Sequence, residues 1–224
     1  MEPEFYRLRI ANQTINLSID STETILVKAA YPTMAYKYEV EGSENCSTIK
    51  ELSLKQMNLQ ATINSITKNP NIGVDSMNVA IAQVINSYKQ DIKTQYIFKA
   101  PMKASSYYAL FQTIQLGGTN TLLFNPRNNK DDIKVFAAVA TSWDTYYPNA
   151  ERGKNLHNIA IQGMKDVRIM ENQMAERQID ASKVSVNGCI NLSLTDNKGV
   201  VRNLTDLKGK VVLLDFHLFA NRES

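Results

Sequence analysis

The chain has 224 residues, of which 43% are hydrophobic and 21% charged, as in an ordinary soluble globular protein of one or two domains. Its net charge of +3, with acidic and basic residues interspersed, gives no indication of nucleic-acid binding. No apolar run approaches the ~18 residues that a membrane span needs. The N-terminus also lacks the basic and apolar stretches of a signal peptide.

The first 42 residues are predicted to form β-strands. Residues 5–10 alternate apolar and basic side chains, and residues 14–19 alternate polar and apolar ones, which is the period of a half-buried strand. Asn12-Gln13 between them suits a hairpin turn. Two further stretches continue the pattern, residues 24–29 and 36–40. We therefore expect a few antiparallel strands with one face in water.

From Ser43 the apolar spacing changes to three and four residues, which predicts amphipathic helices. The stripe of the first helix consists of Ile49, Leu52, Gln56, Leu59, Ile63 and Ile66. Pro70 ends this helix, because a proline disfavours the helical conformation in the residue before it. A second helix, capped by Asp75 or Ser76, is predicted to end at Ala100-Pro101. Its inward positions are Met77, Ile81, Val84, Tyr88 and Ile92.

Three more helices are predicted between residues 105 and 182. The first runs from Ser105 to Leu116, with Gly117-Gly118 as its C-cap. The next begins at Asp131-Asp132 and ends at Pro148, and the last begins after Ala150. The apolar face of the last consists of Leu156, Ala160, Met164, Val167 and Met170. Short connections between amphipathic helices favour a helical bundle with antiparallel neighbours.

The C-terminal segment, residues 183–224, is predicted to hold a hairpin around Asp196-Asn197-Lys198-Gly199, a turn at residues 206–209 and an apolar strand at residues 210–216. With the residues that follow it, this order of elements resembles the opening of a thioredoxin-like domain. The relevant family is that of membrane-anchored thiol-disulfide oxidoreductases and peroxiredoxin-like proteins. When this chain is aligned with the family's redox motif, Asn221 and Ser224 occupy the positions of the two motif cysteines.

Two other parts of the chain carry a similar resemblance. Residues 5–43 resemble the end of a β-rich domain of undefined function that stands upstream of thioredoxin-like domains in envelope lipoproteins. Pro101 with residues 105–110 resembles the helical insert of the same proteins. The resemblance implies a periplasmic or cell-envelope protein of a bacterium, attached to a membrane only through a lipid anchor that is missing from this chain.

The predicted fold class is therefore α+β, in three parts: residues 1–42, the end of the β-rich domain; residues 43–182, a helical domain; and residues 183–224, an incomplete thioredoxin-like domain. About 40 residues are too few for a thioredoxin fold. We expect a fragment of a longer protein; the alternative is a short terminal hairpin that packs on the helices.

The replaced motif predicts a loss of redox chemistry. Disulfide exchange requires a thiolate with a lowered pKa and a second thiol that resolves the mixed disulfide. Neither the Asn221 amide nor the Ser224 hydroxyl can replace them, although both residue types cap helices well. The resemblance thus predicts a redox-inactive protein without a cofactor.

Cys46 and Cys189 are the remaining candidate thiols. Both are interpreted as small buried apolar side chains, although an oxidising compartment would allow a disulfide between them. Cys46 lies near a predicted helix start, where a thiol pKa can be lowered. A role in thiol chemistry therefore stays open for it.

Two histidines and an aromatic cluster complete the candidate residues. His217 occupies a position where the family has tryptophan, and His157 is predicted on a solvated helix face, so no metal site is expected. The aromatic cluster consists of Tyr107, Tyr108, Trp143, Tyr146 and Tyr147. Such residues at helical spacing indicate core packing, and the alternative is a groove for an apolar or glycan ligand.

Two functions follow as hypotheses. The first is a non-enzymatic envelope protein that binds an unidentified partner or ligand and carries a degenerate thioredoxin-like segment. The second is a thiol-disulfide oxidoreductase or peroxidase whose working cysteine lies outside the usual motif, at Cys46, at Cys189 or beyond Ser224. An interaction scaffold without a small ligand is a third possibility.

Overall fold

The computed structural model describes residues 2–20, 22–177 and 192–211. The described residues form a mixed structure of five α-helices and short antiparallel strand pairs, in agreement with the predicted α+β class. The chain divides into two compact units, Met1–Met170 and Glu171–Ser224. No described helix has the length and apolar character that crossing a bilayer requires.

The first unit opens with two hairpins, which confirm the predicted N-terminal strands. They consist of β1 (Glu4–Ile10) with β2 (Gln13–Ile19) and of β3 (Leu26–Ala29) with β4 (Tyr38–Glu41). The first turn lies one residue earlier than predicted: Ala11 has a φ of 52° and Gln13 already belongs to β2. In this register Arg7 lies opposite Asn16, and Phe5 lies opposite Ser18. These four residues therefore share one face of the hairpin.

Helix α1 (Glu44–Thr67) confirms the first predicted helix. Ser43 is its N-cap and accepts a hydrogen bond from the backbone N–H of Cys46. The predicted stripe is buried at Ile49, Leu52, Leu59 and Ile63. Periodicity was sufficient here because this helix packs with one face against the core.

Helix α2 (Val74–Ile92) has Gly73 as its N-cap, so the prediction that Asp75 or Ser76 caps it was wrong. Asp75 lies in the first turn instead, where an acidic side chain favours the positive end of the helix. A π-helical turn, Lys93–Ile97, continues the chain toward Pro101. Only Ile92 is fully buried in α2, which therefore lies at the periphery of the core.

The predicted third helix is half helix and half hairpin. Helix α3 (Ala104–Leu110) is followed by the hairpin of β5 (Thr113–Leu116) and β6 (Thr119–Leu122). Gly117 and Gly118, both with positive φ, form the two-residue turn and not a helix C-cap. The prediction failed because a Gly-Gly pair serves both structures. The alternation of polar and apolar residues before the turn, at 113–116, should have favoured the hairpin.

Two further helices follow β6 in the chain. Helix α4 (Lys130–Tyr146) begins at Asn129, whose side chain accepts hydrogen bonds from two backbone N–H groups. Helix α5 (Glu151–Arg177) buries Leu156, Ala160 and Val167 as predicted. Met164 was assigned to this face wrongly, since it is 54% exposed. Gly163 is buried instead, because the backbone of Pro126 approaches it closely.

Two apolar clusters form the core of the first unit. The larger one joins α1, α3, α4 and α5 around Trp143, Phe124 and Phe136. The smaller one lies between β2 and the start of α1, and it contains Ile15, Leu17, Met34, Tyr38 and Cys46. The opening hairpin therefore packs on the first helix through β2, while most of β1 stays exposed.

The described part of the second unit contains β7 (Ser193–Thr195), β8 (Val201–Asn203) and a 3₁₀ turn, Leu204–Leu207. The Asp196 carboxylate accepts hydrogen bonds from the backbone N–H groups of Lys198 and Val200, which confirms the predicted hairpin. Most of the predicted strand at residues 210–216 lies outside the described residues. The domain boundaries at residues 42 and 182 stay predictions.

Candidate functional site

A cleft of about 700 Å³ lies between the opening hairpin and the segment from α3 to β5. Strands β1 and β2 provide one wall, and α3 with the start of β5 provides the other. Gln56 of α1 and Arg152 of α5 complete the lining. A volume of this size is within the range of ~300–1,000 Å³ that holds small ligands.

A group of aromatic rings connects the two walls of the cleft, and Tyr107 stands at its centre. Its ring centroid lies 5.2 Å from that of Phe5 and 5.1 Å from that of Phe111. Beneath it lies Trp143, 4.9 Å from Tyr107 and fully buried. Burial raises the pKa of Tyr107. Because Trp143 packs beneath Tyr107, this aromatic group has a fixed shape.

A chain of hydrogen bonds connects the two walls. Asn16 donates from Nδ2 to the hydroxyl oxygen of Tyr108 at 3.2 Å. The same hydroxyl lies 3.0 Å from Oγ of Ser53 on α1. Tyr108 is thus held from both sides, while Oδ1 of Asn16 has no hydrogen bond to a described residue and can bind a ligand.

Two glutamines close the cleft from below. Gln112 is 3% exposed and donates to the backbone oxygen of Leu52 and to Oε1 of Gln56. Its own Oε1 accepts a hydrogen bond from the hydroxyl of Tyr88 at 2.8 Å. Gln56 donates in turn to the backbone oxygen of Thr113 at 2.6 Å. These amides satisfy one another, so their role is to hold the cleft open and in shape.

The charges that line the cleft are all positive. Arg7 and Arg152 belong to the lining, whereas no Asp, Glu or Lys does. Arg152 forms two hydrogen bonds to the Glu4 carboxylate, at 3.1 and 2.7 Å, which lower the pKa of Glu4. Within the described part of the chain, Arg7 has no such acidic partner. The cleft therefore offers one guanidinium that is not neutralised.

Cys46 lies apart from this cleft, in the smaller core cluster. Its side chain is fully buried and free, and its Sγ donates to the backbone oxygen of Ser18 at 3.1 Å. Burial raises the pKa of this thiol, which is the opposite of the shift considered for a helix start. A buried thiol with a raised pKa is a poor nucleophile.

Four other candidates, Cys189, His217, Asn221 and Ser224, lie outside the described residues. His157 is 38% exposed and faces the Asp144 carboxylate, as suits the predicted solvated face. Within the residues described, no group of three or more His, Cys, Asp or Glu is placed to hold a metal ion.

The aromatic cluster is divided between the core and the cleft. Trp143 is core, Tyr107 and Tyr108 line the cleft, and Tyr146 is 58% exposed. Core packing thus holds for Trp143, while the binding of an apolar or glycan ligand at Tyr107 and Tyr108 stays a prediction.

The sequence alone did not identify the hairpin's contribution to the cleft. Phe5 and Arg7 alternate along β1 and so share a face, but no local signal shows that this face meets α3. Neither Cys nor His lines the cleft, so its lining offers no thiol or imidazole.

We compared the chain with protein-family models, with curated proteins and with solved structures, and found no match in any of the three.

Proposed function

We propose that this protein is a redox-inactive binding module of the cell envelope that holds a small ligand in the cleft between the opening hairpin and α3. The observation that carries the proposal is the cleft itself, with its group of aromatic rings in contact. Ligand sites in proteins combine such apolar walls with a few fixed polar groups.

The hydrogen-bonded floor supports this function further. Gln112 donates to the backbone oxygen of Leu52 and to Oε1 of Gln56, and Gln56 donates to the backbone oxygen of Thr113. Both amides are therefore fixed by hydrogen bonds. A preorganised site loses less entropy when a ligand binds, and this favours affinity.

The proposed absence of redox activity rests on the sequence. Asn221 and Ser224 stand where the thioredoxin-like family has its motif cysteines. The burial and raised pKa of Cys46 argue against that thiol as a substitute nucleophile. The thioredoxin-like identity of the C-terminal segment, the helical-bundle class of the central region, the bacterial envelope location and the lipid anchor belong to the same proposal.

The test is a ligand screen read by amide chemical shifts of the ¹⁵N-labelled protein. A set of ring-bearing fragments is added at millimolar concentration, and we expect shifts in β1, β2 and α3. The variant Thr14→Trp places an indole in the cleft and should abolish these shifts. The matched variant Thr121→Trp changes an exposed strand residue outside the cleft and should retain them.

Failure of every fragment to shift the cleft amides would overturn the proposal. Shifts that persist unchanged in Thr14→Trp would overturn it as well, because the ligands would then bind elsewhere.

A further inference from the structure

We infer that the cleft selects ligands in which a single carboxylate stands next to a ring, with Arg7 as the group that recognises the charge. This inference rests on the proposed binding function and specifies the class of ligand.

The two arginines of the cleft differ in what surrounds them. Arg152 is neutralised by Glu4, and a second carboxylate, that of Glu2, lies 4.0 Å away. Its guanidinium also lies over the Phe5 ring, 5.4 Å from the centroid. Arg152 therefore has a structural role: it fastens the start of β1 to α5 and leaves no free charge for a ligand.

Arg7 has none of these contacts. It is exposed, it lines the cleft, and it has no ion pair with any described residue. A guanidinium binds a carboxylate through two parallel N–H···O hydrogen bonds. With no lysine in the lining and Arg152 already paired, one positive charge remains, which suits a monoanionic carboxylate better than a dianionic phosphate.

The register of the hairpin places the charge beside the rings. Phe5 and Arg7 are two residues apart on β1, so they point to the same face at about 7 Å along the strand. Arg7 is also directly opposite Asn16, whose Oδ1 has no hydrogen bond to a described residue. A ligand that lies against Phe5 and Tyr107 can thus reach Arg7 with a carboxylate on its ring.

Two kinds of molecule carry this chemistry, aromatic acids and acidic sugars. The test compares each with a neutral partner of similar shape: 2-naphthoate with 2-naphthalenemethanol, and galacturonate, which has one carboxylate, with its methyl ester. Affinities are measured by titration of the amide shifts at low salt. We expect at least one acid to bind about tenfold or more tightly than its neutral partner, as a charged hydrogen-bond pair requires.

The chain provides a matched pair of variants for this test. Arg7→Gln should remove the preference for the acid. Arg9→Gln should retain it, because Arg9 lies on the same strand and face but is outside the lining and donates to the backbone oxygen of Ala11. Selective binding of naphthoate identifies an aromatic acid, and selective binding of galacturonate identifies an acidic sugar; either result supports the inference.

Equal binding of acid and neutral partner in the cleft would overturn the inference and leave the binding function intact. An equal loss of affinity in Arg9→Gln and Arg7→Gln would overturn it too, since the effect would then be one of overall charge. Absence of any shift in the cleft, with these probes and with the fragment set, would overturn both proposals.

Discussion

Asn16 on β2 donates a side-chain N–H to the hydroxyl oxygen of Tyr108 on α3, although 92 positions separate the two residues in the chain. The same hydroxyl contacts Ser53 on α1. Three elements that the sequence shows as separate segments are thus joined at one oxygen, at the edge of the cleft.

Replacement of this hydroxyl tests whether it holds the two walls together. Tyr108→Phe leaves the partly buried amide of Asn16 and the hydroxyl of Ser53 without this partner. We expect the free energy of unfolding to fall by about 1 kcal/mol, the usual net value of a hydrogen bond. Urea unfolding measures it. Tyr146→Phe is the control, since Tyr146 is 58% exposed and its hydroxyl has no hydrogen bond within the described part of the chain. Equal stability of both variants would contradict the prediction.

A buried ion pair joins α2 to α4. Lys89 lies 2.7 Å from Asp132, whose side chain is 2% exposed, and the backbone N–H of Asn125 donates to the same oxygen. Asp132→Ala leaves the Lys89 charge nearly buried and unpaired, so we expect a loss of about 3 kcal/mol. Thermal and urea unfolding measure this loss.

The control for this pair is the preceding residue. Asp131 is exposed and pairs with Lys134 on the helix surface, where an ion pair contributes little. Asp131→Ala should therefore change stability far less than Asp132→Ala. Similar losses in the two variants would mean that the favourable position of both carboxylates at the start of α4, and not the buried pair, is responsible.

Replacement by alanine should have opposite effects on stability at two glycines of α5. A Cβ at Gly163 would lie 2.6 Å from the backbone oxygen of Pro126, too close for any real contact. Gly163→Ala must therefore displace the helix or that loop, at a cost of about 1–3 kcal/mol. At Gly153 the nearest atom is at an ordinary 3.4 Å. Gly153→Ala should be neutral or stabilising by up to about 1 kcal/mol, because alanine favours helices. Urea unfolding curves of both variants and of the wild type measure these differences.

Cys46 is expected to react only when the protein opens. Its thiol is fully buried and its pKa is raised above the ordinary 9.0, mainly by desolvation. Alkylation by iodoacetamide, read by mass spectrometry of the Cys46 peptide, should be slow at pH 8 and accelerate in denaturant. Fast labelling of the native protein below pH 7 would show a thiolate there and would revive the thiol-based function.

The raised pKa also has a consequence for stability. The folded state favours the neutral thiol of Cys46. The contribution of this thiol to the free energy of unfolding is therefore complete below pH 9, and it declines as the pH rises above 9 toward the folded pKa. The stability difference between the wild type and Cys46→Ala should shrink over that alkaline range.

Because Glu4 pairs with Arg152, we expect the stability of the protein to depend on pH in the acid range. The hydrogen bond from Arg152 lowers the pKa of Glu4 below the ordinary 4.5. The contribution of the Glu4 carboxylate to the free energy of unfolding is therefore complete above pH 4.5, and it is lost as the pH falls through the folded pKa of Glu4. Glu4→Gln should be less stable than the wild type at pH 6, and the difference should diminish toward pH 3. A difference that is constant over this range would exclude the charge as its cause.

Local patterns were sufficient where a segment makes its main contacts with one face. The period of two in β1 and β2 and the stripe of α1 both identified the correct elements. The failures occurred where a local signal serves two structures. Gly117-Gly118 closes a hairpin although it also suits a helix end. Gly163 faces inward where the apolar pattern had assigned Met164. The reason is that the backbone of Pro126 comes too close to this position for a side chain, so hydrophobicity does not determine which residue is buried there.

The sequence by itself determined the α+β class, the opening strands, the amphipathic helices and the C-terminal hairpin, because each depends on neighbours within a few residues. Only the tertiary structure determined that the cleft exists and which residues line it, since Arg7, Tyr107 and Arg152 come from elements far apart in the chain. It also decided which arginine is free: the pairing of Arg152 with Glu4 spans 148 positions. No periodicity within one segment carries information about such a contact.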